Sequence, residues 1–120
     1  MKPDSIGALN NLAWLLREKS PDEAEKLANH ALELTPESPQ ALHTLAEIKL
    51  NQHKPKESIA LLNKAIDSNP NNYQLQYSLA KALALNGQTD QAKSMYKKLL
   101  NQDNLPQELK TEIKTALKAY

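Results

Sequence analysis

The chain has 120 residues, 40% of them apolar and 24% charged, with a net charge of +1. That is one soluble domain's worth of sequence, too apolar to be disordered and too evenly charged for nucleic acid to be the main partner. It contains no cysteine, which excludes disulfides and thiolate metal sites but leaves the compartment open.

Residues 1–4 read as a lead-in. From Ser5 the apolar residues Ile6, Leu9, Leu12, Ala13 and Leu16 recur at helical spacing. Leu12 to Leu16 is the longest apolar run near the start, far short of a membrane span or a signal core, so no membrane contact is expected. Ser20-Pro21-Asp22-Glu23 then predicts a second helix: a hydroxyl N-cap, proline at the first helical position, and Glu23 placed to close a capping box. Ala24, Leu27, Ala28, Ala31 and Leu32 share one of its faces, and Pro36 ends it. Ser38-Pro39 opens a third helix with Ala41, Leu42, Leu45, Ala46, Ile48 and Leu50. A turn over 51–54 leads to Pro55 and a fourth, with Ile59, Leu62, Ala65 and Ile66 inward. The polar stretch from Asp67 to Asn72 reads as a loop around Pro70. A fifth helix carries Leu75, Leu79, Ala80, Leu83 and Ala84 and closes at Asn86-Gly87, with Gly87 as left-handed C-cap. A sixth, from about Thr89, carries Ala92, Tyr96, Leu99 and Leu100. Residues 106–119 predict a seventh, with Leu109, Ile113, Ala116, Leu117 and Tyr120 on one stripe and Lys110, Lys114 and Lys118 on another.

These elements repeat. Ala31 recurs as Ala65, Pro36 as Pro70 and Leu45-Ala46 as Leu79-Ala80, each 34 residues on. A fixed period of this size marks helix pairs that bury their apolar faces by stacking on their neighbours. Three units follow, 5–36, 38–70 and 72–105. The seventh helix is expected to cap the stack, since solenoids need a polar outer face at each end. The first unit has no such cover, and its open side carries Ala8 and Leu15. That edge suggests either the C-terminal piece of a longer array or a surface for self-association.

The residues resemble tetratricopeptide (TPR) repeats. Small residues stand at Ala13, Ala46 and Ala80 in the first helices; alanines stand at Ala24, Ala31, Ala65 and Ala92 in the second; Pro36 and Pro70 close two units. The resemblance covers residues 5 to about 105 and implies an all-α, right-handed α-solenoid that works as a protein-binding scaffold, without catalysis or cofactor. The chain departs from the family pattern in several places. The first unit is one residue short, since Ala13 to Ala24 spans 11 positions and Ala80 to Ala92 spans 12. Only Gly87 supplies a turn glycine, Ser58 replaces an alanine, Lys49 stands where a large apolar residue is usual, and the last unit's proline is displaced to Pro106. Leu9 to Leu16, with the run from His30 to Ile48, is also similar to the last repeats of bacterial TPR lipoproteins associated with exosortase and exopolysaccharide systems. That likeness implies a periplasmic fragment of an exported protein; without it, a cytoplasmic location is expected.

The candidate site lies on the first helix of each unit. Leu42, Leu45 and Ala46 face the core, so at about 100° per residue Gln40, His43 and Glu47 face away from it. The corresponding residues are Asn10, Trp14 and Arg17 in the first unit, and Gln74, Tyr77 and Lys81 in the third. In TPR-like folds this side lines the concave groove, and Trp, Tyr and Arg dominate binding hot spots. Trp14 could instead pack on the adjacent helix. Some TPR proteins hold acidic chaperone tails with a clamp of lysines and asparagines. The matching positions here are Asn10, Trp14, Thr44, Gln74 and Ser78, which lack the cations, so that ligand is not expected. His43 and Glu47, four apart, could share a metal, but two ligands make no site and a solvent-facing pair explains them more simply. With two glycines in all there is no phosphate-binding loop, and no nucleophile motif frames the serines.

Overall fold

The computed structural model describes residues 5–120, so the expected lead-in falls outside it. Its elements are α1 (Ile6–Leu16), α2 (Pro21–Leu34), α3 (Pro39–Asn51), α4 (Pro55–Ser68), α5 (Tyr73–Leu85), α6 (Thr89–Leu100) and α7 (Gln107–Leu117), with no strand among the described residues. The most extensive packing is within the pairs α1–α2, α3–α4 and α5–α6, followed by α2–α3 and α4–α5 between them. The molecule is accordingly long in one direction, 42 × 28 × 23 Å. It is an all-α solenoid.

The two helices of each pair begin differently. Ser5, Ser38 and Asn72 each accept a backbone N–H three residues on, from Ala8, Ala41 and Leu75, at 3.5, 3.2 and 3.1 Å. These bonds satisfy orphan donors at the starts of α1, α3 and α5. The second helices have no side-chain cap: Ser20, Lys54 and Gln88 make none. The capping box expected at Ser20 does not form. The backbone there is fixed by the tight turn, with Ser20 N–H donating to the Leu16 carbonyl at 2.9 Å. Lys54 and Gln88 hold the same position, 34 and 68 residues on, and neither carries a hydroxyl.

The inter-helix turns of the second and third pairs share one geometry. Lys54 N–H donates to Lys49 O and Gln88 N–H to Leu83 O, both at 2.8 Å. Each turn needs one left-handed residue: Gly87 (φ 84°) in the third pair and His53 (φ 61°) at the same place in the second. α4 runs on through Asp67 and Ser68, so the expected loop is shorter. Asn69 ends that helix by donating its N–H to Ala65 and Ile66.

Small residues let the helices close up. Ala13, Ala24, Ala28, Ala46, Ala80 and Ala92 are all fully buried. α7 adds Leu109 and Ile113, both buried, to the same cluster as Tyr96 and Leu99, with Leu100 and Leu117 packed at its margin. Two residues leave the expected stripes. Leu12 is 46% exposed because it faces the uncovered side of α1, beside Leu15 at 73%. Tyr120 lies beyond the end of α7 and is 45% exposed.

Lys49, the odd residue of the repeat pattern, turns inward. Its Nζ lies 3.2 Å from Glu25 of α2 and 2.9 Å from Glu57 of α4, with only 13% of the side chain exposed. Gln52 adds a bond to Glu25 at 2.9 Å. An ionic bridge thus fills the crevice between α2 and α4. Burial opposes the Lys49 charge, but the bonds to Glu57 and Glu25 outweigh it and raise its pKa above 10.5. Glu25 is held below 4.5, mainly by its bond from Gln52 and then by Lys49.

Candidate functional site

Curvature follows from which helices touch across the pairs. α1 meets α3 and α3 meets α5 directly, whereas α2, α4 and α6 make no comparable contact with one another. The first helices therefore line the crowded inner side of the bend, and the second helices splay on the outer side.

The nine residues singled out from sequence fall along this inner side, and six of them, Trp14, Arg17, His43, Glu47, Tyr77 and Lys81, make contacts along it. The Arg17 guanidinium stacks on the Trp14 ring at 3.8 Å and donates to the Trp14 carbonyl at 2.7 Å. The Trp14 ring meets His43 at 5.5 Å with a 47° tilt. His43 Nε2 lies 2.9 Å from Ser78 Oγ, linking α3 to α5. Lys81 donates to Glu47 Oε1 at 2.9 Å, a second α3–α5 link, and its Nζ sits 5.1 Å over the Tyr77 ring. Tyr77 in turn lies 6.0 Å from Tyr96 of α6. A continuous strip of aromatic and charged groups runs from α1 to α5.

Arg17 reaches the strip from an unexpected place. The first unit is a residue short, so Ala13 matches Ala46 at a spacing of 33, and Arg17 matches the buried Leu50 rather than Glu47. It is the C-cap of α1, and its long side chain folds back over Trp14.

Burial tunes the charges. His43 is pushed below 6.5, first by burial and then by the nearby Lys81 and Arg17, with Glu47 pulling the other way. Its ring is therefore mostly neutral at pH 7 and meets Ser78 as a neutral hydrogen-bonding partner. Tyr77 is raised above 10, by burial first and then by the carboxylates of Glu112 and Glu47. Glu112 brings α7 to this end of the strip, a contribution the repeat pattern does not reveal. Along the strip, two acceptors of the described residues are enclosed without a partner: Asn10 Oδ1 and Glu47 Oε2.

Two adjoining depressions open beside the strip. One, of about 350 Å³, is bordered by Asn10, Trp14 and Thr44; the other, of about 220 Å³, by Pro39, Asn72 and Leu75; Gln40, His43 and Gln74 border both. Gln40 and Gln74 are exposed on the rim. Thr44 and Ser78 were visible in the sequence only as clamp positions. Thr44 borders the same depression as Asn10, and Ser78, 34 residues after Thr44, bonds His43 at its edge.

The His43–Ser78 pair does not make a nucleophile. Ser78 is 2% exposed and sits inside α5, where backbone N–H groups are committed to the helix and none can hold an oxyanion. His43 Nε2 and Glu47 Oε1 are committed to Ser78 and Lys81, and no group of three potential metal ligands converges among the described residues. No helix among the described residues is long and apolar enough to cross a membrane.

Comparison with known proteins agrees with this architecture. The family model described as tetratricopeptide repeat matches residues 15–65 and again 50–113. A search of curated proteins finds no significant match. Among solved structures, that of the Yersinia enterocolitica type III secretion translocator chaperone SycD has a TM-score of 0.80 and 16% identity, covering 99% of this chain and 85% of that one. At that identity the likeness concerns the fold.

Proposed function

The chain belongs to the tetratricopeptide repeat family, and from that premise we propose that it binds a segment of a partner protein, extended or helical, along the inner strip of α1, α3 and α5. The observation that carries this reading is the bracing of Trp14 between Arg17 and His43 at the edge of a depression. A large ring held in one orientation before binding loses little freedom on binding. Tyr77 and the Glu47–Lys81 pair extend the surface, giving one partner both apolar and charged contacts. The similar solved structure is that of a translocator chaperone, which fits a protein partner and says nothing of its identity. The scaffold acts by presenting this surface, without chemistry or cofactor.

The test is a selection from a random peptide library on the immobilised protein, followed by affinity measurement on selected peptides. Trp14→Ala should weaken the main class by roughly 2 kcal/mol or more, as for a hot-spot aromatic. Selected peptides that bind the Trp14→Ala variant as tightly as the wild type would refute the site.

A second reading rests on the exposed Leu12 and Leu15 of α1. In it this edge stacks on a preceding repeat or on a second copy, and the chain serves as the end of an array. Sedimentation of the protein beside a Leu12→Glu, Leu15→Glu variant separates the cases. Self-association lost in the variant supports the edge as a contact between copies.

A further inference from the structure

The outer side of the bend carries a second feature with its own internal control. Between α2 and α4 the crevice is filled by the Glu25–Lys49–Glu57 bridge. Between α4 and α6 the residues 34 positions on are Ile59, Leu83 and Gln91. No charge can bridge there, and the crevice stays open. It forms two cavities of about 390 and 460 Å³ that share Leu79 and Met95, so they make one trough. Leu79 and Leu83 form its floor, and Ile59, Ile66 and Met95 its walls. Alongside α6 it extends from Gln88 to Gln102, about 20 Å at the helical rise.

Two observations decide what fits. The first is charge. Lys98 is the only charged residue lining the trough, and it pairs with no carboxylate among the described residues. No acid lines the trough. The second is hydrogen bonding. An extended chain would need rim groups for its backbone, yet much of the amide rim is already engaged. Gln88 donates to Gln91 at 2.5 Å and accepts from Asn86 at 2.7 Å, and Gln76 donates to the Pro70 carbonyl at 2.5 Å. A helix satisfies its own backbone and needs only apolar side chains to insert. Met95, flexible and central, can adapt to them.

We propose that the trough between α4 and α6 is a second docking site, on the outer face, for an acidic amphipathic helix of a partner protein. The site is independent of the inner strip. It lets one chain hold two segments at once, one on each side of the bend. Its selectivity comes from Lys98 against carboxylates, and its affinity from apolar side chains set between Ile59, Leu83 and Met95.

The probe is a fluorescein-labelled helical peptide of leucine, alanine and glutamate, about 16 residues long to span the trough. Its leucines follow i, i+3, i+4, i+7 spacing, and a control peptide carries lysine for each glutamate. Fluorescence anisotropy should show saturable binding of the acidic peptide that weakens with added salt. The triple variant Ile59→Glu, Leu83→Lys, Gln91→Glu transplants the bridge that closes the neighbouring crevice, and should weaken binding by at least about tenfold. Lys98→Glu alters only an exposed side chain, so folding is not at stake; it should weaken binding by roughly threefold or more, the scale of an exposed pair lost and a repulsion gained. Trp14→Ala should leave it unchanged. The proposal is overturned if the acidic peptide does not bind, if the lysine peptide binds equally well, or if Lys98→Glu has no effect. Loss of binding in Trp14→Ala would move the peptide to the inner strip and equally overturn it. So would sedimentation showing that the protein alone self-associates and that the triple variant abolishes this, since the occupant would then be a second copy.

Discussion

Replacing Lys49 tests whether the ionic bridge does the work of the apolar residue usual at its position. Lys49→Ala removes the ammonium and the stem that fill the crevice between α2 and α4. The side chain is 13% exposed, while Glu25 and Glu57 are 29% and 55% exposed and recover water when the lysine leaves. The loss therefore lies between that of an exposed pair and that of a buried one, roughly 1–2 kcal/mol including the stem's packing. Lys49→Leu restores the residue found at the equivalent Leu83, so its cost should stay within about 1 kcal/mol. The pH dependence distinguishes the two contributions. Glu25 and Glu57 are held below 4.5 in the folded protein, so their contribution is present above that pH and is lost as the pH falls through their folded values. Lys49 is raised above 10.5, so its contribution is present below that pH and is lost as the pH rises through its folded value. The bridge is therefore complete between about 4.5 and 10.5. Urea unfolding followed by circular dichroism at pH 7 and at acidic pH measures both effects. Wild type should lose more stability on acidification than either variant. Equal stability of Lys49→Ala and wild type, with the same acid sensitivity, would show that the bridge contributes nothing.

Three further substitutions probe the scaffold. His53→Gly should stabilise the protein by roughly 0.5–1 kcal/mol, because φ 61° favours glycine, as the matching Gly87 illustrates; a lower thermal midpoint would count against the turn geometry. Ser58→Ala should stabilise by about 1 kcal/mol in urea unfolding, since the fully buried Ser58 Oγ has no partner; destabilisation would reveal a bond to that hydroxyl. Ile113→Ala should cost about 2–4 kcal/mol, a cavity under a fully buried side chain of α7, and a variant as stable as wild type would mean that α7 does not close the stack.

The repeat period made the fold legible, because alanines and prolines recurring every 34 residues allow few arrangements other than stacked hairpins. The cap was legible at Ser38, where proline follows it, but not at Asn72, which the sequence showed only as the end of a polar loop. The same signal was misleading at Ser20, where the tight turn sets the backbone and the hydroxyl is idle. Lys49 looked like a flaw in the pattern because its two partners lie on other helices, 24 and 8 residues away in sequence. The inner strip was readable from the helical wheel of α3. The bracing of Trp14 by Arg17 was not, since it depends on a shortened turn that leaves Arg17 at the helix end. The outer trough was hidden for a similar reason. It arises where a bridge is missing, and that shows only when Ile59, Leu83 and Gln91 are set beside Glu25, Lys49 and Glu57.

The inner strip can be watched directly through the indole N–H of Trp14, which is the only tryptophan and so gives a single, assignable signal. A peptide selected on the protein is titrated into it while proton–nitrogen spectra are recorded. The Trp14 indole signal should move with the saturation curve of the peptide, together with backbone signals of His43 and Tyr77, while Ser94 and Met95 on the outer face stay still. A titration that saturates while the Trp14, His43 and Tyr77 signals remain fixed would contradict binding at the inner strip.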